Sequence, residues 1–183
     1  MGQEKALLKC RRAGEGVPLW RLQRDVLRAA GAVEVFLSVR EEQVWRIEAE
    51  GFDGQLLDAI EVGGPIIGVT AGLKRAAHGH LAVLAIDLPQ MDAAWFSSLW
   101  AECGDGVGCV GRRSGGGLFF EPLAAIYPKA LLLPAREALV RGEFSLQRFV
   151  AAAVAEGKMR VREITHVEIP LFENWNEPDD ARW

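Results

Sequence analysis

Apolar residues recur along this chain with the spacings of alternating helices and strands. Pro18 begins a helical stripe that Gly31 ends, as proline and glycine do at the two ends of helices. The run from Leu81 to Ile86 is six apolar residues without a polar break, which is typical of a strand covered on both faces, as in a parallel sheet. The same reasoning predicts strands over 33–39 and 159–164 and helices over 41–50, 66–77, 92–102, 129–141 and 145–156.

Strands that alternate with helices predict a three-layer α/β/α fold with a mostly parallel, Rossmann-like sheet. The 183 residues fit a single domain, 1–183, that is large enough to bury a substantial core. Half of the residues are hydrophobic, a quarter are charged and the net charge is −4, which is an ordinary composition for a globular protein.

The same composition argues against two classes of partner. Nucleic-acid binding needs a clustered basic face, and this mildly acidic chain shows none. No apolar run reaches the roughly 18 residues of a membrane span, and no basic-then-apolar leader begins the sequence. We expect a cytoplasmic protein with no nucleic-acid or membrane partner.

The cysteines and histidines give little sign of a metal site. Cys10, Cys103 and Cys109 form no C-x-x-C pair, so we expect ordinary buried or partly buried thiols. His78 and His80 lie in a short turn without a nearby third ligand, which favours loop residues over zinc ligands.

Asp87 is the strongest single candidate for chemistry because it follows the apolar run directly. Ligands of open α/β sheets bind beyond the carboxyl ends of strands. A carboxylate there is a natural Mg²⁺ ligand, since Mg²⁺ takes one or two protein carboxylates. The alternative is a turn aspartate ahead of a helix that starts near Asp92, and position alone leaves both open.

Two glycine-containing segments are weaker candidates. The segment from Met1 to Lys5 is similar to the end of a phosphate-binding loop, in which backbone N–H groups and a lysine face phosphates. Asp58 precedes the turn Gly63-Gly64-Pro65, where a glycine pair would let a ligand approach the start of a helix. Taken singly, each is better explained as a surface lysine or a plain turn.

Five short motifs occur in one order along the chain, and together they are more specific than any one of them. They are Met1-Gly2-x-x-Lys5-Ala6-Leu7-Leu8, Pro18-Leu19-Trp20, Gly64-Pro65-x-x-Gly68, Asp87-Leu88-Pro89 and Phe172-x-Asn174-x-Asn176-x-Pro178-x-Asp180. In this order and spacing the chain resembles the molybdenum cofactor guanylyltransferase family of MobA-like nucleotidyltransferases over nearly its whole length.

The resemblance implies an enzyme that joins GMP from GTP to molybdopterin carrying molybdenum and releases pyrophosphate with the help of Mg²⁺. It implies catalytic roles for Lys5, which would neutralise the triphosphate, and for Asp87, which would hold Mg²⁺. The implied nucleotide contacts also include Gly2, Asp58 and Gly64.

The implied acceptor side is formed by Asn174 and Asn176, whose amides would face molybdopterin. The alternative for these two residues is a turn ahead of a helix that starts at Pro178. Besides the two substrates, the resemblance implies molybdopterin-synthesis proteins or a molybdoenzyme acceptor as partners.

The chain departs from the family at its N-terminal end. Family members begin with a strand and a Leu-Ala-Gly-Gly-x-x-x-Arg loop ending in Met-Gly, of which only Met1-Gly2 is present. We expect Met1 to be an internal methionine of a longer protein. The alternatives are a truncated, degenerate member that is not an enzyme, or another enzyme such as a cytidylyltransferase of molybdopterin or a small sugar-phosphate nucleotidyltransferase.

Overall fold

The computed structural model describes residues 5–10, 16–57, 64–113 and 119–175. Within these ranges helices and strands alternate over most of the chain. The α-helices are α1 (Leu19–Ala29), α2 (Pro65–Arg75), α3 (Ala93–Glu102), α4 (Leu132–Val140) and α5 (Leu146–Ala155). The strands are β1 (Lys9–Cys10), β2 (Val17–Pro18), β3 (Phe36–Val39), β4 (Gly54–Leu57), β5 (His80–Leu84), β6 (Gly108–Arg113), β7 (Ala124–Pro128) and β8 (Met159–Ile164). Short 3₁₀ helices span Lys5–Leu7, Val44–Ile47, Lys129–Leu131 and His166–Phe172.

The larger sheet has the strand order β5-β7-β6-β8. Its strand β7 pairs antiparallel with β5 and with β6, whereas β8 pairs parallel with β6. Strands β3 and β4 form a separate parallel pair, and β1 and β2 form a short antiparallel pair. The predicted α/β fold class is confirmed, and the sheets are mixed in direction.

Helices cover both faces of the larger sheet, as alternate residues of β7 show. Ala125 and Tyr127 point into a core formed with α2, α4 and α5. Ala124 and Ile126 point into a second core, formed with α1, α3 and the His166–Phe172 helix. Each of these four side chains is at most 4% exposed, so the described residues have the three layers that the sequence predicts.

The apolar run from Leu81 to Ile86 forms most of β5, but its neighbour differs from the expected one. Strand β5 pairs antiparallel with β7 and lies at the edge of the larger sheet. Leu81 and Val83 contact one core, while Ala82 and Leu84 contact the other. Helices therefore cover both faces as predicted, whereas the expectation of a parallel pairing for this strand was wrong.

The described α-helices are short, and α3 and α5 have a side-chain cap at their start. The Asp92 carboxylate accepts a hydrogen bond from the Trp95 N–H at 2.9 Å, which satisfies a donor that α3 leaves unpaired. Gly64 has φ +65° directly before Pro65, the first residue of α2, and glycine adopts that backbone conformation at little cost. Within the described ranges, none of the helices combines the length and apolar character needed to pass through a lipid bilayer.

The helix expected over 41–50 is reduced to the 3₁₀ turn Val44–Ile47. Trp45 is buried in this turn, whereas Val44 and Ile47 are each 73% exposed. A single buried residue gives no apolar stripe, and short helices depend on such a stripe for their stability.

The C-terminal segment is fixed to the larger sheet by Arg162 of β8. Its guanidinium donates two hydrogen bonds to the Glu168 carboxylate, at 2.8 and 3.0 Å, and stacks 4.9 Å from the Trp95 ring centre. The Thr165 hydroxyl and N–H donate to the same carboxylate at 2.7 and 2.9 Å. Chiefly through the Arg162 hydrogen bond, these contacts lower the pKa of Glu168 from 4.5 to about 2.

Replacing Gly108 with alanine is expected to destabilise the larger sheet. A Cβ at this position would lie 2.2 Å from the Ile126 carbonyl oxygen, and the β6–β7 pairing would have to shift to relieve that contact. We expect a loss of about 1–3 kcal/mol in the free energy of unfolding, measured by urea denaturation. Gly79→Ala is the matched control, because its Cβ would meet nothing within 4 Å; equal losses in the two variants would contradict this account.

Glu168 is expected to make stability depend on pH in the acid range. A carboxyl whose pKa is lower in the folded protein adds stability above its unfolded pKa, here about 4.5, and that stability is lost as the pH falls towards about 2. Glu168→Gln should cost about 1–3 kcal/mol at pH 7 and flatten the acid part of the stability curve. Glu163→Gln, in a half-exposed pair with Arg112, should cost less than about 1 kcal/mol; a similar loss there would remove the special role of Glu168.

Candidate active site

The carboxyl ends of β3 and β5 meet beside the first described residues. Ala6 is 3% exposed and packs against Leu37 and Val39 of β3 and against Ile86, just beyond β5. The carboxyl ends of both strands therefore lie at the same small cluster. Their shared edge is where ligands of open α/β sheets bind.

Lys5 and Asp87 lie together at this edge although 82 positions separate them in the sequence. The Lys5 Nζ is 3.2 Å from the Asp87 Oδ2, and the two side chains are 39% and 24% exposed. A pair this exposed contributes at most about 1 kcal/mol to stability. Its significance is chemical, since it places an ammonium and a carboxylate side by side beyond the carboxyl end of β5.

The loop that carries Asp87 is held by hydrogen bonds from two remote segments. The Gln23 Nε2 of α1 donates to the Leu88 carbonyl at 2.7 Å. The Trp175 N–H donates to the Asp87 carbonyl at 3.0 Å. Leu88 itself is 4% exposed, so both hydrogen bonds restrain a backbone that is already packed.

Gln23 is a positioning residue that the sequence reasoning missed. It is 4% exposed, and it is the buried polar residue among the described part of the chain. Its position is four residues after Leu19 and four before Leu27, which places it inside the apolar stripe of α1. A polar side chain at a stripe position was the available signal, because such a residue must find a partner in the core.

Asn174 lies in the C-terminal segment that closes against the Asp87 loop. Its neighbour Trp175 is 6% exposed and packs with Leu8 and Leu19. Asn174 itself is exposed, one residue from the hydrogen bond to the Asp87 carbonyl. The Asn174 amide is therefore on the surface, in a segment that contacts the Asp87 loop.

The other candidate residues are less well defined by the structure. Gly64 is exposed at the start of α2, the helix that follows β4 along the chain. Gly2, Asp58 and Asn176 lie outside the described residues, so their roles stay predictions.

The side chains at this edge suit a cation that takes only one or two ligands from the protein and the rest from substrate and water. Asp87 supplies one carboxylate, and no group of three His, Cys, Asp or Glu side chains that could hold a metal occurs among the described residues. Mg²⁺ is bound in this way, through one or two carboxylates together with substrate phosphates and water.

Cys103 and Cys109 lie in environments that oppose reactivity. Burial raises the pKa of Cys103 from 9.0 to about 11 and that of Cys109 to about 12, so both remain protonated thiols at neutral pH. His80 lies with its Nε2 3.1 Å from the Val107 carbonyl oxygen and its ring edge-on to Trp100. The cysteines are the buried or partly buried thiols that the sequence predicts, whereas His80 is the first residue of β5 and not the expected loop residue.

Comparison with known proteins gives relatives over almost the whole chain. A protein of Opitutus terrae named "Probable molybdenum cofactor guanylyltransferase" is 44% identical over 183 residues, covering 98% of this chain and 86% of the relative. A molybdenum cofactor guanylyltransferase of Pseudomonas putida is 31% identical over 156 residues, covering 85% of this chain and 78% of the relative.

Solved structures show the same fold at low sequence identity. The molybdopterin-guanine dinucleotide biosynthesis protein A of Archaeoglobus fulgidus superposes with a TM-score of 0.67 at 20% identity, covering 98% of this chain and 88% of that one. A Methanothermobacter nucleotidyl transferase superposes with a TM-score of 0.69 at 16% identity, covering 96% and 81% of the two chains.

The family model of the MobA-like NTP transferase domain matches residues 1–158. This span holds β1 to β7, α1 to α5 and the Lys5–Asp87 pair. The chain therefore belongs to the family of MobA-like NTP transferase domains.

Proposed function

We propose that this protein transfers GMP from GTP to molybdopterin carrying molybdenum. The guanylyltransferase relatives support the reaction, and the observation that carries its location is the Lys5–Asp87 pair at the carboxyl end of β5. A bond forms between a phosphate oxygen of molybdopterin and the α-phosphorus of GTP. Bond breaking releases the β- and γ-phosphates together as pyrophosphate.

The site contains the kinds of group that this transfer needs. The attacking phosphate is already ionised at neutral pH, since its second pKa is about 6, so no general base is required. The remaining demand is alignment of two anionic substrates and neutralisation of their charge. Lys5 would place its ammonium on the triphosphate, where a point charge is most useful.

Asp87 would hold the divalent cation, for which we propose Mg²⁺. When bound, Mg²⁺ would neutralise phosphate oxygens and help to orient them. Lys5 and Asp87 satisfy each other in the structure at 3.2 Å. On nucleotide binding, Lys5 would exchange the Asp87 carboxylate for phosphate oxygens, which leaves that carboxylate available to the cation.

The two substrates would approach from different sides of this pair. Gly2, Asp58 and Gly64 are proposed to contact the nucleotide, the last at the exposed start of α2. Asn174 and Asn176 are proposed to contact molybdopterin, because the exposed Asn174 lies beside the Asp87 loop. A molybdopterin-synthesis protein or a molybdoenzyme acceptor, and a cytoplasmic location, stay predictions.

Asp87→Asn is expected to abolish metal-dependent turnover while leaving the fold intact. The amide keeps the shape of the side chain but loses the negative charge that holds a cation, so we expect kcat to fall by at least about 100-fold. Turnover is measured as pyrophosphate release with molybdenum-loaded molybdopterin and Mg²⁺, with GTP and CTP compared in parallel. Circular dichroism checks the fold.

Asp92→Asn is the matched control for this variant, because asparagine caps helices about as well as aspartate. It should leave turnover unchanged. Near-normal turnover of Asp87→Asn would remove Asp87 from the site, and a preference for CTP would replace guanylyl with cytidylyl transfer. Both variants are tested in the 183-residue chain.

Lys5→Gln is expected to weaken nucleotide binding more than binding of the acceptor. Loss of a charge-assisted contact to phosphate costs about 1.5–3 kcal/mol, so the KM for GTP should rise by about 10- to 100-fold. The KM for molybdopterin should change little. Lys9→Gln, at an exposed position of β1, is the control; an equal rise in both KM values for Lys5→Gln would contradict a specific role on the triphosphate.

A further inference from the structure

Three strands of the larger sheet end at the edge that carries Asp87. Strands β5 and β6 both pair antiparallel with β7, so they run in the same direction, and β8 runs parallel to β6. Asp87 follows β5 by three residues, and Arg113 is the last residue of β6. Arg113 therefore lies at the same edge as the Lys5–Asp87 pair, on the far side of β7.

A short antiparallel pairing at the end of β6 places Arg113 and Phe119 on one face of the sheet. Arg112 and Phe120 form a β-bridge, and the Arg113 N–H donates to the Phe119 carbonyl at 3.1 Å. Directly opposed residues of two strands project to the same face, and successive residues alternate between faces. Arg113 and Phe119 therefore share one face, whereas Arg112 and Phe120 share the other.

The C-terminal segment runs along this edge from Arg113 to Asp87. The Arg113 Nη2 donates to the Phe172 carbonyl at 3.3 Å, and its guanidinium lies 5.8 Å from the centre of the Phe172 ring. Three residues later, the Trp175 N–H donates to the Asp87 carbonyl at 3.0 Å. Three residues of chain span at most about 10 Å, and Asn174 lies within that span.

The ring of Phe119 is exposed, although its backbone is held in place. Phe119 is 64% exposed, whereas Phe120 is 2% exposed and packs in the core with α2, α4 and α5. The Gln147 amide accepts a hydrogen bond from the Phe120 N–H at 3.2 Å and donates one to the Phe120 carbonyl at 2.8 Å. A rigidly mounted aromatic ring loses little conformational freedom when a flat ligand stacks on it.

Arg113 is oriented by contacts on two sides. Its Nε donates to the Glu121 carboxylate, and its Nη2 donates to the Phe172 carbonyl. Among the described residues, these contacts use two of the five N–H donors of a guanidinium. An arginine held in this way beside an aromatic ring suits a ligand that is flat and carries carbonyl oxygen on its rim.

We propose that Phe119 and Arg113 bind the pterin ring of the acceptor substrate. Phe119 stacks on the flat pyrimidinone ring of the pterin, and Arg113 donates to its carbonyl oxygen. This inference rests on the proposed transfer to molybdopterin, which places the phosphate of that molecule at the Lys5–Asp87 pair. Pterin ring and phosphate are at opposite ends of molybdopterin, as the two residue pairs are at opposite ends of the segment 172–175.

Guanine is a less suitable partner for Phe119. Gly64, a proposed nucleotide contact, precedes α2, and that helix packs into the core that contains Phe120. Phe119 projects to the opposite face, where Arg113 contacts the segment that carries Asn174. The two ring systems would therefore bind on different faces of the sheet.

Steady-state kinetics of three Phe119 variants tests the stacking contact. Loss of base–aromatic stacking weakens binding by about 10- to 100-fold, so Phe119→Ala should raise the KM for molybdopterin by that factor and leave the KM for GTP unchanged. Phe119→Tyr keeps a flat ring and should match the wild-type protein, whereas Phe119→Leu should behave as Phe119→Ala does. The exposed Trp100, beside His80 at the amino end of β5, provides the control, and Trp100→Ala should leave both KM values unchanged.

A neighbouring pair of arginines tests the second contact. Arg113→Gln should raise the KM for molybdopterin by about 10-fold or more, since a hydrogen bond from a charged donor is lost, and leave the KM for GTP unchanged. Arg112 is the matched control, because it projects to the other face and pairs with Glu163. Arg112→Gln should change neither KM, and an equal effect of the two variants would contradict a specific contact by Arg113.

Binding of pterin alone separates this inference from the proposed reaction. Pterin is titrated into the 183-residue chain without GTP or molybdenum, and binding is followed by the quenching of its fluorescence. The wild-type protein and Asp87→Asn should bind pterin equally, and Phe119→Ala at least about 10-fold more weakly. Absence of pyrophosphate release by the wild-type protein with molybdopterin would contradict the proposed reaction. Equal pterin binding by the wild-type protein and Phe119→Ala would overturn the inference, as would a rise in the KM for GTP in place of that for molybdopterin.

Discussion

The structure depends on hydrogen bonds that draw three remote segments to two consecutive residues, Asp87 and Leu88. The side chain of Lys5 reaches the Asp87 carboxylate, the backbone of Trp175 reaches the Asp87 carbonyl, and the side chain of Gln23 reaches the Leu88 carbonyl. The N-terminal segment, α1 and the C-terminal segment thus share one loop. Each bond is modest alone, about 0.5–1.5 kcal/mol net for a neutral pair, but together they fix where the candidate site is.

The larger sheet is the rigid element that supports the loop of Asp87 and Leu88. Strand β7 is buried along its length between two helix layers, and the Trp95 indole N–H donates to the Ala124 carbonyl at 2.9 Å. Phe172 packs edge-on against the same indole with ring centres 4.9 Å apart. Trp95 therefore links the sheet to the segment that carries Asn174, so this segment is positioned by the core rather than by surface loops.

The sequence predicted the layers of the fold better than the pairing of its strands. An apolar run such as Leu81–Ile86 indicates a strand whose two faces are both covered by other elements. The direction of its neighbouring strand depends on residues far away in the chain, here Ala124–Pro128. The region 41–50 has helix-forming composition without a buried stripe. Tertiary packing therefore decided both features, and composition did not contain that information.

For the candidate site, the order of motifs singled out Lys5 and Asp87, and the structure brings them within 3.2 Å. No spacing rule could have placed them together, because residues 82 positions apart meet only through the complete fold. Gln23 was missed for the opposite reason. It occupies a position at which sequence patterns lead one to expect an apolar side chain.

The open edge of β5 also bears on how the protein behaves during synthesis and storage. A run of apolar residues with unpaired backbone groups is a template for non-native pairing, and proteins usually protect such edges with charge, proline or a cover. The run Leu81–Ile86 contains none of these protective residues. Among the described residues no strand pairs with this edge, so we expect the tendency of the protein to aggregate to rise steeply with its concentration.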